Sequence, residues 1–225
     1  MPDTVIPEIS EAPGAANADP SRLTDSDSRM IEAAVSLIVE RGVERATLKD
    51  IGERAGYSRG LATYRFGSKA GLYRAVIRYV SQRWLGELTR AVGPRRGLAA
   101  LLACIDTWAA FAQESPRHVR AMHILCYQSI GPDSGWRERV AEVLTRQRAD
   151  LARWVREGIA DGEIAADLDP ERQAEHFCAL VYGATYQWLV EPGAVDFTGL
   201  AETHKQMMRA SLAPGNGDVA GARTR

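Results

Sequence analysis

Helical periodicity fills every interval of this chain that its glycines and prolines leave open. The breaks fall at Gly42, Gly56, Gly67, Gly93-Pro94, Ser115-Pro116, Gly131-Pro132, Gly162, Asp169-Pro170 and Pro192-Gly193, residue types that end a helix or cannot continue one. Between them apolar side chains return every three or four positions, and nowhere do they alternate as a half-buried strand requires. The pattern predicts an all-α fold of about nine helices, over roughly residues 26–41, 48–55, 59–65, 69–90, 97–113, 116–128, 135–160, 170–190 and 197–212. Residues 1–24 and 213–225 are polar and small, without periodicity, and are expected to be disordered tails.

Composition narrows the class. A chain of 225 residues, 45% hydrophobic and 25% charged, can bury a core without covalent staples. Cys104, Cys126 and Cys178 are odd in number, far apart and in no C-x-x-C arrangement, so they read as reduced small hydrophobes. No apolar run approaches the ~20 residues of a membrane span. The opening residues lack the basic-then-apolar order of a signal peptide, and a cytoplasmic protein with no membrane partner is expected. The net charge of −1 hides an asymmetry. Residues 26–83 hold 11 Lys/Arg against 6 Asp/Glu and the remainder 17 against 23, which is +5 against −6. A basic end on an acidic chain suits an anionic partner approached from that end.

The basic end also has the most specific local pattern. Thr47 with Asp50 three residues on has capping-box spacing and starts a short helix with Leu48, Ile51 and Ala55 facing inward. Gly56-Tyr57 stops it, Ser58 can cap the next, and Ser68 can cap a long helix that begins at Lys69. Two short helices joined by a tight glycine turn and packed on a longer one make a helix-turn-helix, over about residues 47–66, with the third helix free to enter a major groove.

The run ATLKDIGERAGYSRGLATYRFGSKAGLYRAVI resembles the DNA-binding head of the TetR family of transcriptional regulators, through Thr47, Ile51, Ala55, Gly56, Ser58, Gly60, Tyr64, Phe66, Lys69 and Leu72 together. The likeness is clearest over residues 25–85 and continues more loosely in DGEIAADLDPERQAEHFCALVYGATYQWLVEP. It implies a DNA-binding domain over 25–85 and a helical effector-binding and dimerisation domain over 86–212. It implies, too, a repressor released from a palindromic double-stranded operator by a small organic effector. Position by position, the resemblance sets Thr47 near a phosphate, Arg59 and Gly60 at base edges, Tyr64 on the DNA backbone and Lys69 at a second phosphate. Ser58, Thr63 and Arg65 complete the expected contact set. Thr63 stands where many members have tyrosine and Arg65 where histidine is usual. The chemistry agrees: helix N-termini and a lysine suit anions, and an arginine fork matches guanine O6 and N7. Blander roles exist for each residue: Thr47 as a cap only, Tyr64 and Phe66 as core, Arg59 as a solvated charge.

The body carries aromatic and apolar side chains on each helix, and the resemblance implies a cavity among them. Trp108, Met122, His123, Cys126, Trp154 and Phe177 are the candidate lining residues, against the alternative of an ordinary packed core. Phe177, Val181, Ala184, Leu200, Met207 and Met208 offer apolar surface for a homodimer through helices eight and nine. The rival reading is a helical enzyme or small-molecule-binding protein without DNA activity. For it speak only His123 and Cys126, at a spacing that permits a base and a nucleophile, with no third partner in sight. No catalytic residue, metal or cofactor is expected.

Overall fold

The computed structural model describes residues 23–132 and 134–215, and the expected disordered tails lie almost wholly outside the described residues. Nine helices are found there: α1 (Asp25–Arg45), α2 (Leu48–Ala55), α3 (Arg59–Phe66), α4 (Lys69–Val92), α5 (Gly97–Glu114), α6 (Pro116–Gln128), α7 (Arg137–Ala160), α8 (Pro170–Val190) and α9 (Phe197–Leu212). The expected helices are all present, with ends shifted by a few residues. The largest shift is in α1, where Gly42 at φ +77° interrupts the helix and one further turn follows.

The helix starts follow from side-chain oxygens satisfying backbone N–H groups that have no intrahelical partner. Thr24 and Asp27 form a reciprocal capping box at α1. Thr47 Oγ1 accepts from the Asp50 N–H at 3.1 Å, Ser58 Oγ from Leu61 at 3.2 Å and Ser68 Oγ from Gly71 at 3.1 Å. Gly56 closes α2 at φ +81°, a left-handed conformation that costs glycine little.

Helices α1 to α4 form the head around Met30, Ile31, Ile38, Ile51, Ala62, Leu72, Val76 and Ile77, all without exposed surface. Burial of each of the larger aliphatic chains contributes about 1.5–3 kcal/mol before entropy is counted. Tyr73 lies at the centre of this core, fully buried, and its hydroxyl donates to the carbonyls of Val43 at 2.8 Å and Ala46 at 3.3 Å. It thereby holds the last turn of α1 and the approach to α2 against α4.

Helix α4 continues into the body, where it packs on α5, α6 and α7; α8 packs on α7, and α9 on α5 and α8. Helix α6 is bound to the head as well. His118 Nε2 lies 2.9 Å from Glu32 of α1, which also accepts from the Tyr79 hydroxyl of α4 at 2.7 Å. Burial works to raise the Glu32 carboxyl, but the hydrogen bonds with His118 and Tyr79 and nearby positive charge bring it below the usual carboxylate range.

The segment between α6 and α7 is pinned at several points. Trp136 donates its indole N–H to the Leu125 carbonyl at 2.9 Å and meets the Tyr73 ring edge to face at 5.2 Å. Arg137 donates to the carbonyls of Ser129 at 3.0 Å and Ile130 at 2.6 Å, beyond the end of α6, and Arg74 of α4 donates to Gly135 at 2.6 Å. Gly135 has φ +69°, and a Cβ there would stand 2.9 Å from Ala70 Cβ, so a side chain at this position would push the segment off α4.

One sequence expectation is corrected on α8. Phe177 and Ala184 face inward and Val181 is half-buried against the core, so they supply little outer surface; Leu180, Tyr186 and Val190 are exposed instead, with Met207 on α9. Among the described residues no helix is long and apolar enough to cross a membrane.

Replacing Tyr73 by Phe removes a buried donor and leaves the Val43 and Ala46 carbonyls short of one. The expected loss is about 1–2 kcal/mol, or a fall of roughly 3–6 °C in melting temperature. Thermal unfolding followed by circular dichroism measures it, and an unchanged midpoint would show that the hydroxyl does not hold the head together.

Candidate nucleic-acid interface and ligand cavity

Helix α3 buries only Ala62 fully and leans Leu61 and Phe66 on the core, which turns its other face outward. Arg59, Gly60, Thr63 and Tyr64 share that outer face. Tyr64 is 74% exposed, which removes the core role open to it in the sequence, while Phe66 packs against the core. Arg59 is exposed, and no hydrogen bond or ion pair is found for it among the described residues.

Three groups flank this face. Thr47 is exposed and its hydroxyl also donates to Asp50 Oδ2 at 2.7 Å, so its capping role is real and nothing covers it from outside. Ser58 is the exposed cap at the start of α3 itself. Lys69 Nζ donates to the Glu44 carbonyl at 2.8 Å, leaving two of its three ammonium protons for another acceptor.

Arg65 departs from the expected set. Its guanidinium turns back into the head, where Nε donates to Asp27 Oδ1 at 2.7 Å and Nη2 to Asp27 Oδ2. Asp27 is buried, which by itself would raise its carboxyl, yet the hydrogen bonds from Arg65 and from the Thr24 backbone and hydroxyl outweigh burial and hold it below the usual range. A two-pronged pair with a buried acid fixes the end of α3 against the start of α1. The sequence missed this because the partners are 38 residues apart.

Between α4, α5, α6, α7 and α8 lies a half-open cavity of about 500 Å³, within the range of small-molecule sites. Trp108, Met122, His123, Trp154 and Phe177 line it. Cys126 does not: it sits one helical turn beyond His123, past the last α6 residue of the wall, and burial pushes its thiol up to about 12. A thiol so hard to ionise, beside a histidine whose Nδ1 is bound to the Val119 carbonyl at 2.9 Å, is no activated nucleophile. Trp84 and Ser81 of α4, Gln147 of α7 and Tyr182 and Thr185 of α8 also line the cavity; the sequence could not assign their faces. Among the described residues no group of three or more His, Cys, Asp or Glu side chains converges to hold a metal.

Comparison with known proteins matches both parts of the chain. Residues 30–76 match the family of bacterial regulatory proteins, tetR family, and residues 131–192 the tetracyclin repressor-like C-terminal domain. The chain is 28% identical over 199 residues to the HTH-type transcriptional regulator TtgR of Pseudomonas putida, covering 84% of this chain and 94% of that protein. Its fold is shared with the fatty acid degradation regulator FadR from Bacillus halodurans, at TM-score 0.72 and 16% identity, over 84% of this chain and 96% of that one. It is shared as well with SmeT, the repressor of the Stenotrophomonas maltophilia multidrug efflux pump SmeDEF, at TM-score 0.70 and 23% identity, over 88% and 96% of the two chains.

The two arginines of α3 should separate in stability. Arg65→Ala leaves Asp27 buried without its charge partner and is expected to cost about 2 kcal/mol, or roughly 4–8 °C, between the values for exposed and buried pairs. Arg59→Ala should stay within about 0.5 kcal/mol of the parent. Equal melting temperatures for the two variants in differential scanning calorimetry would remove the structural role given to Arg65.

Proposed function

The chain belongs to the TetR family of bacterial transcriptional regulators, and from that premise we propose that it is a repressor released from a palindromic operator by a small organic effector. The observation that carries the reading is the outer face of α3, where Arg59, Gly60, Thr63 and an exposed Tyr64 stand between the helix N-termini capped by Thr47 and Ser68. In this reading Arg59 reads base edges, Thr47, Ser58 and Lys69 hold phosphates and Tyr64 lies along the backbone. Arg65 positions α3 rather than contacting DNA.

Members of the family act as dimers, and a two-fold dimer would set its recognition helices about 34 Å apart, or a multiple of one turn, on a palindrome. Helices α8 and α9 are the proposed interface. Leu180, Tyr186 and Val190 with Met207 give them an exposed apolar surface that a second copy can cover. The protein would act in the cytoplasm, where the DNA is.

The cavity supplies the effector site. SmeT, which shares the fold, has been solved as a triclosan complex; a comparable role suits the roughly 500 Å³ cavity here. The reading as a helical enzyme finds no activated nucleophile among the described residues. Occupation of the cavity would bias α6 and α4, which carry the strain to the head through Tyr73 and the α6–α7 segment. A ligand does this only by binding the released state better than the DNA-competent one.

Mobility shifts on palindromic DNA from the protein's own upstream region test the reading. Arg59→Ala is expected to relax discrimination at particular base pairs by about 1–3 kcal/mol. Lys69→Ala should weaken all sequences alike and reduce the salt slope by about one. Identical losses across a sequence panel would contradict the assignment of roles.

A further inference from the structure

Two polar atoms belonging to cavity-lining residues are buried and have no partner: Nε2 of His123 on α6 and Oγ of Ser81 on α4. The state of the histidine follows from its other nitrogen. Nδ1 lies 2.9 Å from the Val119 carbonyl, which can only accept, so Nδ1 carries the proton. Burial disfavours a second proton more than that hydrogen bond favours it, and the ring stays neutral. In that tautomer Nε2 is an acceptor with nothing to accept from, which costs about 1–3 kcal/mol in a buried setting.

The neighbouring polar groups offer no such opening. The Trp108 indole N–H donates to Thr185 Oγ1 at 2.9 Å, Thr185 donates onward to the Val181 carbonyl at 2.7 Å, and the Tyr182 hydroxyl donates to Gln147 Oε1 at 3.1 Å. The charges on the α7 side of the cavity neutralise one another, Arg139 with Glu142 at 2.7 Å and Arg146 with Asp150 at 3.9 Å. The rest of the wall includes the rings of Trp84, Trp108, Phe111, Trp154 and Phe177.

We infer that the cavity selects an uncharged, aromatic ligand carrying a hydroxyl, which donates its proton to His123 Nε2. A hydroxyl also has lone pairs that suit the unpartnered Ser81, on the helix packed against α6. With two positive and two negative side chains on the α7 side and an otherwise largely apolar wall, an anionic ligand meets no net positive charge to offset its lost hydration. The inference rests on the reading of this cavity as the effector site and adds the ligand class.

Equilibrium dialysis of the full chain against biphenyl, 4-phenylphenol, 4-methoxybiphenyl and biphenyl-4-carboxylate separates the ligand class from the site. The phenol is expected to bind roughly 3- to 10-fold more tightly than its methyl ether, the worth of one neutral hydrogen bond, and the carboxylate more weakly than either. In His123→Phe the phenol-to-ether ratio should fall to about one. Because the ratio in the parent protein needs no variant, a poorly folding substitution does not spare the inference. Equal binding of phenol and ether, tightest binding by the carboxylate, or a ratio unchanged in His123→Phe would each overturn the donor assignment and leave the cavity reading standing. Failure of all four to bind a protein that still shifts DNA would overturn both.

Discussion

The hydroxyl of Tyr73 is the contact on which the remaining geometry depends. It satisfies two carbonyls at the end of α1, Val43 and Ala46, immediately before Thr47 begins the helix-turn-helix. Its ring meanwhile meets that of Trp136, from the segment joining α6 to α7, nearly at right angles. One buried side chain on α4 thus touches both the end of α1, just before the helix-turn-helix, and the segment that joins α6 to α7. Burial pushes its phenol upward from the ordinary range, so it remains a neutral donor at any physiological pH. A displacement of α4 or of Trp136 cannot leave the start of α2 unmoved, since close-packed interiors shift between discrete arrangements rather than yield smoothly.

The body has the opposite character. Where the head fills its interior with Ile, Leu and Val, the sensor helices leave about 500 Å³ unfilled among large rings. Side chains that wall such a space have fewer partner atoms than those of a packed core. Ligand binding supplies such partners, and it can be converted into work on α4 only where the filled cavity favours a different helix arrangement from the empty one. His118, Glu32 and Tyr79 tie the first turn of α6 to α1 and α4, which makes that helix a lever held at both ends.

Much of this was legible in the sequence, because the information is local. Thr47, Ser58 and Ser68 cap helices through bonds to residues three positions on, and Gly56 ends α2 within its own turn. A family resemblance then carried the outer face of α3. What could not be read depends on partners distant in the chain. Arg65 looks like a basic residue on a recognition helix until Asp27, 38 residues earlier, is seen to hold it. Cys126 shares a helical stripe with Met122, yet the cavity ends one turn before it. Helix α8 is apolar on more than one face, and only packing, against α7 above all, decides that Phe177 and Ala184 are buried while Leu180 is exposed.

We propose that the cavity and the outer face of α3 are two sites on one two-state molecule. Linkage makes the coupling reciprocal: whatever factor the ligand takes from operator affinity, the operator must take from ligand affinity. The direct measurement is calorimetric titration of a cavity ligand into the free protein and into the protein saturated with operator, beside DNA affinity with and without ligand. The same factor is expected in both directions, between about 5 and 150, for a coupling of roughly 1–3 kcal/mol. Equal ligand affinity in the two titrations would contradict it, whatever the ligand's fit in the cavity.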